Sequence, residues 1–138
     1  MSDELGVEET TSGKDLSLGP AGVMTHLPDL ASMVSVQEDA TVSRTVLKAD
    51  GARVVLFAFD AGQVLTEHTA AMPVLLVALD GRFTINGGGT SVELIPGGLI
   101  HFDTRLPHTV VAEEPSRLAL IMLDNRAKPL HDAAGIRD

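Results

Sequence analysis

Residues Val74 to Leu123 read VLLVALDGRFTINGGGTSVELIPGGLIHFDTRLPHTVVAEEPSRLALIML, and this stretch decides the fold. It holds six short runs rich in β-forming residues: Val74 to Leu79, Arg82 to Asn86, Ser91 to Ile95, Leu99 to Asp103, His108 to Ala112 and Arg117 to Leu123. Between them stand Asp80-Gly81, Asn86-Gly87-Gly88-Gly89, Pro96-Gly97-Gly98, Leu106-Pro107 and Glu114-Pro115. Each of these supplies a positive-φ position or a preset turn. Toward the N-terminus the same grammar continues through Arg44 to Lys48, Arg53 to Phe59 and Val64 to Ala70, punctuated by Asp50-Gly51 and Asp60-Ala61-Gly62. Turn signals recur roughly every 8 to 12 residues and no amphipathic window is long enough for a major helix, which predicts an all-β sandwich or barrel.

The ends read differently. Residues 1 to 30 carry six acids (Asp3, Glu4, Glu8, Glu9, Asp15 and Asp29) against Lys14 alone, a net charge of -5 out of -9 for the chain. Residues 1–22 are acidic and poor in large apolar side chains, a composition that predicts a disordered tail rather than part of a core. The domain expected is 23–126, with residues 127–138 a C-terminal tail in which Pro129 limits any helix. Asp29 to Glu38 is expected to add an edge strand or a helical turn. The N-terminus has neither the basic start nor the apolar stretch of a signal peptide. The longest apolar runs, Val74 to Leu79 and Leu118 to Leu123, are six residues each, far short of the ~20 that a membrane helix needs. The expected location is the cytoplasm, with no membrane partner.

Composition excludes several chemistries. The 138 residues include no Cys, Trp or Tyr and only four Phe, so thiol catalysis, disulfides and Cys-based zinc sites are out. An aliphatic core must form, and the aromatic platforms of single-strand nucleic-acid binders are missing. A net charge of -9 repels a phosphate backbone, so no nucleic-acid partner is expected.

Strand parity supplies the first functional information. Along Val64 to Met72 one face would carry Val64, Thr66, His68, Ala70 and Met72, and along His108 to Ala112 one face carries His108, Val110 and Ala112. If both faces point inward, His68 and His108 project into an aliphatic interior beside two alanines, and the result is a pocket.

At these residues the sequence resembles a known superfamily. Gly62, five residues, then His68, followed by Gly81, is similar to the first cupin motif; Gly97-Gly98 followed ten residues later by Pro107-His108 is similar to the second. The resemblance runs from about Val42 to Leu123, and the text Phe57-Ala58-Phe59-Asp60-Ala61-Gly62-Gln63 with Glu67-His68-Thr69-Ala70 is similar to small single-domain bacterial cupins of the RmlC-like, conserved-barrel type. It implies a double-stranded β-helix, the jelly-roll barrel. The departures from the pattern bear on function. Where the first motif usually carries a second His and a Glu, this chain has Ala70 and, at Val74 or its neighbour, no acid; in the second motif Asp103 and Arg105 replace the usual Pro and Gly, and Ala112 stands where Asn is often found. Two of four usual metal ligands remain, His68 and His108, whereas a first-row metal site normally has three or four protein donors.

The expected pocket is lined by His68, His108, Ala70, Met72, Phe59 and Phe102, with Phe57, Ile100 and Met122 as further walls that could equally be core. The metals that His68 and His108 would accept are Zn, Ni, Fe, Cu or Mn. His101 has parity opposite to Ile100 and Phe102 and is expected on the outside or at a subunit contact; His26 and His131 are expected in solvent. Glu67 has the wrong parity to join His68 unless a bulge intervenes, and Asp103 could reach the rim. Gln63 could hydrogen-bond a ligand, although it sits beside a turn. Gly87 to Gly89 lacks the helix and Lys-Ser/Thr of a phosphate loop and reads as a hairpin turn. No Gly-x-Ser-x-Gly elbow supports serine catalysis.

Two functions follow. One is a protein binding a small, largely apolar or carboxylate ligand, with the two histidines as its orienting polar groups. The other is a metal-dependent enzyme of dioxygenase, isomerase or decarboxylase type with an incomplete ligand set. A third possibility is a filled barrel that works at its surface. A homodimer is the expected assembly.

Overall fold

The structure, a computed structural model, describes residues 21–68 and 70–124, with the side chains of all of these except Glu67 and His68. The expected tails, apart from Ala21 and Gly22, and with them Pro129 and His131, lie outside the described residues, as does Thr69.

Every run picked out by its turn punctuation forms a strand. They are β1 (Thr41–Ala49), β2 (Ala52–Phe59), β3 (Val64–His68), β4 (Val74–Asp80), β5 (Phe83–Gly87), β6 (Thr90–Leu94), β7 (Ile100–Phe102), β8 (His108–Ala112) and β9 (Ser116–Leu123). All pairings are antiparallel. One sheet has the order β1-β2-β9-β4-β7 and the other β3-β8-β5-β6, the two-sheet jelly roll that the cupin resemblance implies. The β5–β6 hairpin closes through Gly88 and Gly89, whose φ of 59° and 80° are the pair of positive values that a two-residue hairpin turn requires.

The inner faces meet in a core built from Phe59, Val74, Leu76, Phe83, Ile85, Val110 and Leu118 among others. Phe59 of β2 crosses to the opposite sheet and meets Phe83 edge-on, with centroids 5.3 Å apart at 76°. Ala112 lies directly across from Phe83 in the β5–β8 register, and its small side chain leaves that ring room on the shared face.

A second apolar cluster lies on the outer face of the five-stranded sheet. There Val34, with Leu30, Met33 and Val36, covers Leu56, Ala58 and Ala119. The segment Asp29 to Glu38 supplies this cover through one 3₁₀ turn, Leu30–Met33, and adds no edge strand. Two arginines hold it by its carbonyls: Arg44 Nη1 donates to Met33 O at 3.0 Å and Arg117 Nη1 to Ala31 O at 2.8 Å.

One turn shows why a glycine stands where it does. Gly81, between β4 and β5, has φ of 77°, and a Cβ there would overlap the side chain of Ser116. The Ser116 hydroxyl is wholly buried, accepts from Arg82 N at 3.0 Å and donates to Glu114 O at 2.7 Å. A buried hydroxyl without such partners would carry a desolvation cost, so the turn and the serine specify each other.

Candidate functional site

The site is built on β3 and β8, and its geometry turns on a bulge. Leu65 pairs with Val110, but the next paired residues are His68 and His108. Three steps along β3 therefore match two along β8, so β3 carries one extra residue. Strict alternation from Val64 is thereby corrected: Val64 and Thr66 are exposed and Leu65 packs against the core. The strand also stops at His68, so the parity argument does not extend to Ala70 and Met72. The bulge is the event that a regular strand lacks, and with it the backbone of His68 stands directly across from His108.

His108 lies on the inner face as parity predicts, in line with Val110 and Ala112, all three buried. The residue is only 3% exposed. Its Nδ1 lies 2.9 Å from Leu106 O. A carbonyl oxygen can only accept, so Nδ1 carries the proton, and in the neutral ring Nε2 holds the lone pair. The ring lies flat on Phe102, with centroids 4.4 Å apart and 14° between planes. That stack needs Gly87: a Cβ there would come within 2.7 Å of Phe102 Cε1 and 3.6 Å of His108 Cβ.

The loop between β7 and β8 sets the position of the Leu106 carbonyl. Arg105 adopts φ of 61°, and its N–H donates to Ala70 O at 2.8 Å, while Leu106 N donates to Asp103 O at 3.3 Å. Pro107 fixes the entry into β8. The chain thus turns back at an arginine where the motif commonly has glycine.

The remaining candidates separate. Phe102 joins His108. Ala70 is half-buried against the core. Phe59 is buried to 0% exposure and is a core side chain between the sheets. Met72 is half-buried and lies with Met122 at a different hollow, described below. Phe57, Ile100 and Met122 pack at the margin of the core. His101 is exposed on the outer side, His26 is exposed, and Asp103 is exposed in its loop. Gln63 lies 3.5 Å from the Thr41 hydroxyl through its Oε1. Val74, at the family's acidic position, is buried at 1% exposure in the core. Among the described residues no three His, Asp or Glu side chains come together.

Two features were outside the sequence reading. Gly87, a turn residue by its sequence, is also the surface against which Phe102 lies. An apolar cleft of about 280 Å³ opens between β5–β6 and β7, lined by Ile85, Val92, Leu99 and Phe102 among others. Val92 and Leu99 are exposed in it, at 42% and 63%, and both were visible in sequence as apolar residues beside turns.

Comparison with solved structures places this geometry in a class. The chain has the cupin fold. It superposes on a cupin superfamily protein from Desulfitobacterium hafniense DCB-2 with a TM-score of 0.66 and 20% identity, over 73% of this chain and 93% of that one. A cupin 2 conserved barrel domain protein from Leptotrichia buccalis matches with a TM-score of 0.64 and 26% identity, over 68% of this chain and 46% of that one. The DMSP lyase DddQ from Ruegeria pomeroyi DSS-3 matches at 0.59 and 14% identity, over 64% and 49%. No protein-family model and no curated protein matches the sequence. At these identities the likeness carries the fold, and the fold hosts more than one function.

Proposed function

We propose that this is a ligand-binding cupin barrel, in which His68 and His108 orient a small, largely apolar or carboxylate-bearing molecule. The observation that carries the reading is the state of His108: buried, stacked on Phe102 and tied through Nδ1 to a backbone carbonyl. A ring so held keeps one fixed orientation, the property of an orienting group in a mostly apolar site. The apolar cleft that reaches Phe102 supports the same reading. In this reading the protein acts in the cytoplasm as a homodimer.

A second reading is favoured by one specific feature. Donation from Nδ1 to a backbone carbonyl is also how metal-binding histidines are aligned, and the backbones of His68 and His108 are paired. Against it, Ala70 and the buried Val74 occupy two positions where the motif places donors, and two imidazoles fall short of a three-donor site.

Elemental analysis of untagged protein from metal-replete medium, before and after His68→Ala, separates the two. A stoichiometric transition metal that disappears in the variant would establish the metal reading and overturn the first. Without such a metal, a thermal-shift screen of small carboxylic and aromatic acids should find stabilisers that His108→Asn abolishes. An empty screen would leave the filled barrel. Light scattering should give twice the 14.5 kDa chain mass; a monomeric mass would remove the dimer.

A further inference from the structure

Cross-strand neighbours that lie directly opposite share a face of the sheet. Across the five-stranded sheet, Lys48 stands opposite Arg53, Arg53 opposite Met122, Met122 opposite Val74, and Val74 opposite Phe102. One row, one residue per strand, thus runs along the inner face from the histidine stack to a pair of cations. At the cationic end there is a hollow of about 430 Å³, lined by Lys48, Arg53, Met72, Met122 and Asp124 together with small alanines. Its size falls within the roughly 300–1,000 Å³ of small-molecule sites. Its Arg53 stands three strand spacings, about 14 Å, from Phe102 along this row.

The electrostatics of this hollow are unusual for the chain. The protein carries -9 overall, and Arg44, Arg82 and Arg117 each have carbonyl or carboxylate partners. Lys48 and Arg53 make no side-chain hydrogen bond or ion pair among the described residues. With Asp124 at the rim, the lining brings two cations together in an otherwise acidic molecule. Next to it Met72 and Met122 supply apolar, adaptable surface. The guanidinium offers a planar fork that fits a carboxylate, and the lysine adds a second donor.

We infer that this hollow is a binding site for small organic monoanions, taking the carboxylate at Arg53 and Lys48 and the apolar body along Met122 and Met72. A dianion such as phosphate fits less well, since it has nothing to place against the methionines and its second charge faces Asp124.

The test uses the full chain with ¹³C-methyl methionine, whose five Met residues include Met24 and Met33 as controls away from the hollow. Hexanoate should shift the Met72 and Met122 methyl signals saturably and leave Met24 and Met33 in place, whereas hexanamide should not. Arg53→Gln and Lys48→Gln, both at exposed positions, should each weaken hexanoate at least fivefold, Arg53→Lys should recover part of the loss, and added salt should weaken binding. Equal binding of hexanamide, or hexanoate binding that survives the double glutamine variant, would overturn the inference. Equal shifts by inorganic phosphate would also overturn it, by reducing the hollow to a charge without shape. Arg82→Gln, which removes a cation paired with Glu93 and Glu114 outside the hollow, should leave hexanoate affinity unchanged; an equal loss there would reduce the effect to net charge and overturn the inference.

Discussion

The Phe102 ring lies on the His108 imidazole, centroids 4.4 Å apart with 14° between planes, and the two residues belong to opposite sheets. The stack therefore joins the halves of the barrel at the point where its most chemically capable side chain is held. Aromatic pairs contribute about 0.5–1.5 kcal/mol beyond burial. Phe102→Leu, which keeps most of the volume, should lower unfolding free energy by about 1 kcal/mol in urea. The His108 ring protons, shielded by the facing ring, should move downfield in its NMR spectrum. Gly87→Ala should displace the Phe102 ring, because the new Cβ would sit 2.7 Å from Phe102 Cε1, and give the same spectral change without touching either ring. Unmoved ring signals in both variants would contradict the stack.

Arg105 holds a left-handed backbone, φ 61°, a conformation that costs a side-chain-bearing residue about 1 kcal/mol relative to glycine. Arg105→Gly keeps the N–H that donates to Ala70 O. It should raise the thermal midpoint, by up to about 1 kcal/mol of stability, the unfolded-state entropy of glycine offsetting part of the gain. A lower midpoint would show that the arginine side chain contributes more than its backbone strain costs.

Gly81 offers the opposite experiment. At φ 77° and with the Ser116 side chain where a Cβ would be, Gly81→Ala combines backbone strain with overlap and should cost about 2 kcal/mol or more by chemical denaturation. Gly81→Ala together with Ser116→Gly should recover only the side-chain part of the overlap, since the Ser116 Cα would still lie 2.7 Å from the new Cβ, while losing the hydroxyl's bonds. A neutral single variant would refute the close contact.

Asp60 governs an acid-side dependence. Its carboxylate accepts from Asp39 N at 2.7 Å and Ala61 N at 2.9 Å, and these bonds, the Asp39 one foremost, hold its pKa below the usual 3.8. A carboxyl lowered in the folded state adds stability above its unfolded pKa and loses it as pH falls through the folded value. Wild type should therefore melt higher than Asp60→Asn at neutral pH, with the difference steady down to about pH 4 and shrinking below. A difference that persisted undiminished at the lowest accessible pH would rule out the charged form as its source.

The strands and the inward face of β8 were legible in the sequence because both are local: Asp80-Gly81 and Gly88-Gly89 announce their turns, and alternation from His108 to Ala112 needs no partner. The arrangement at β3 was not, because the additional residue between Leu65 and His68 has no residue-type signature and appears only when β8 is laid beside it. The proximity of Lys48 and Arg53 to Met122 has no signature in the sequence for a related reason. Their neighbour Met122 comes from the far end of the domain, and no spacing along the chain connects them. Inward parity says that the Phe59 side chain enters the barrel, not that another ring, Phe83, is waiting there.

Counting along β3 also decides which residue stands opposite His108. Glu67 and His68 are adjacent, and regular pairing onward from Leu65 and Val110 would set position 67, a carboxylic acid, across from His108 in place of position 68. The identity of that neighbour, acid or imidazole, thus depends on a single uncompensated residue of backbone. A slip of one position would exchange the partner's charge and proton affinity with no change in sequence.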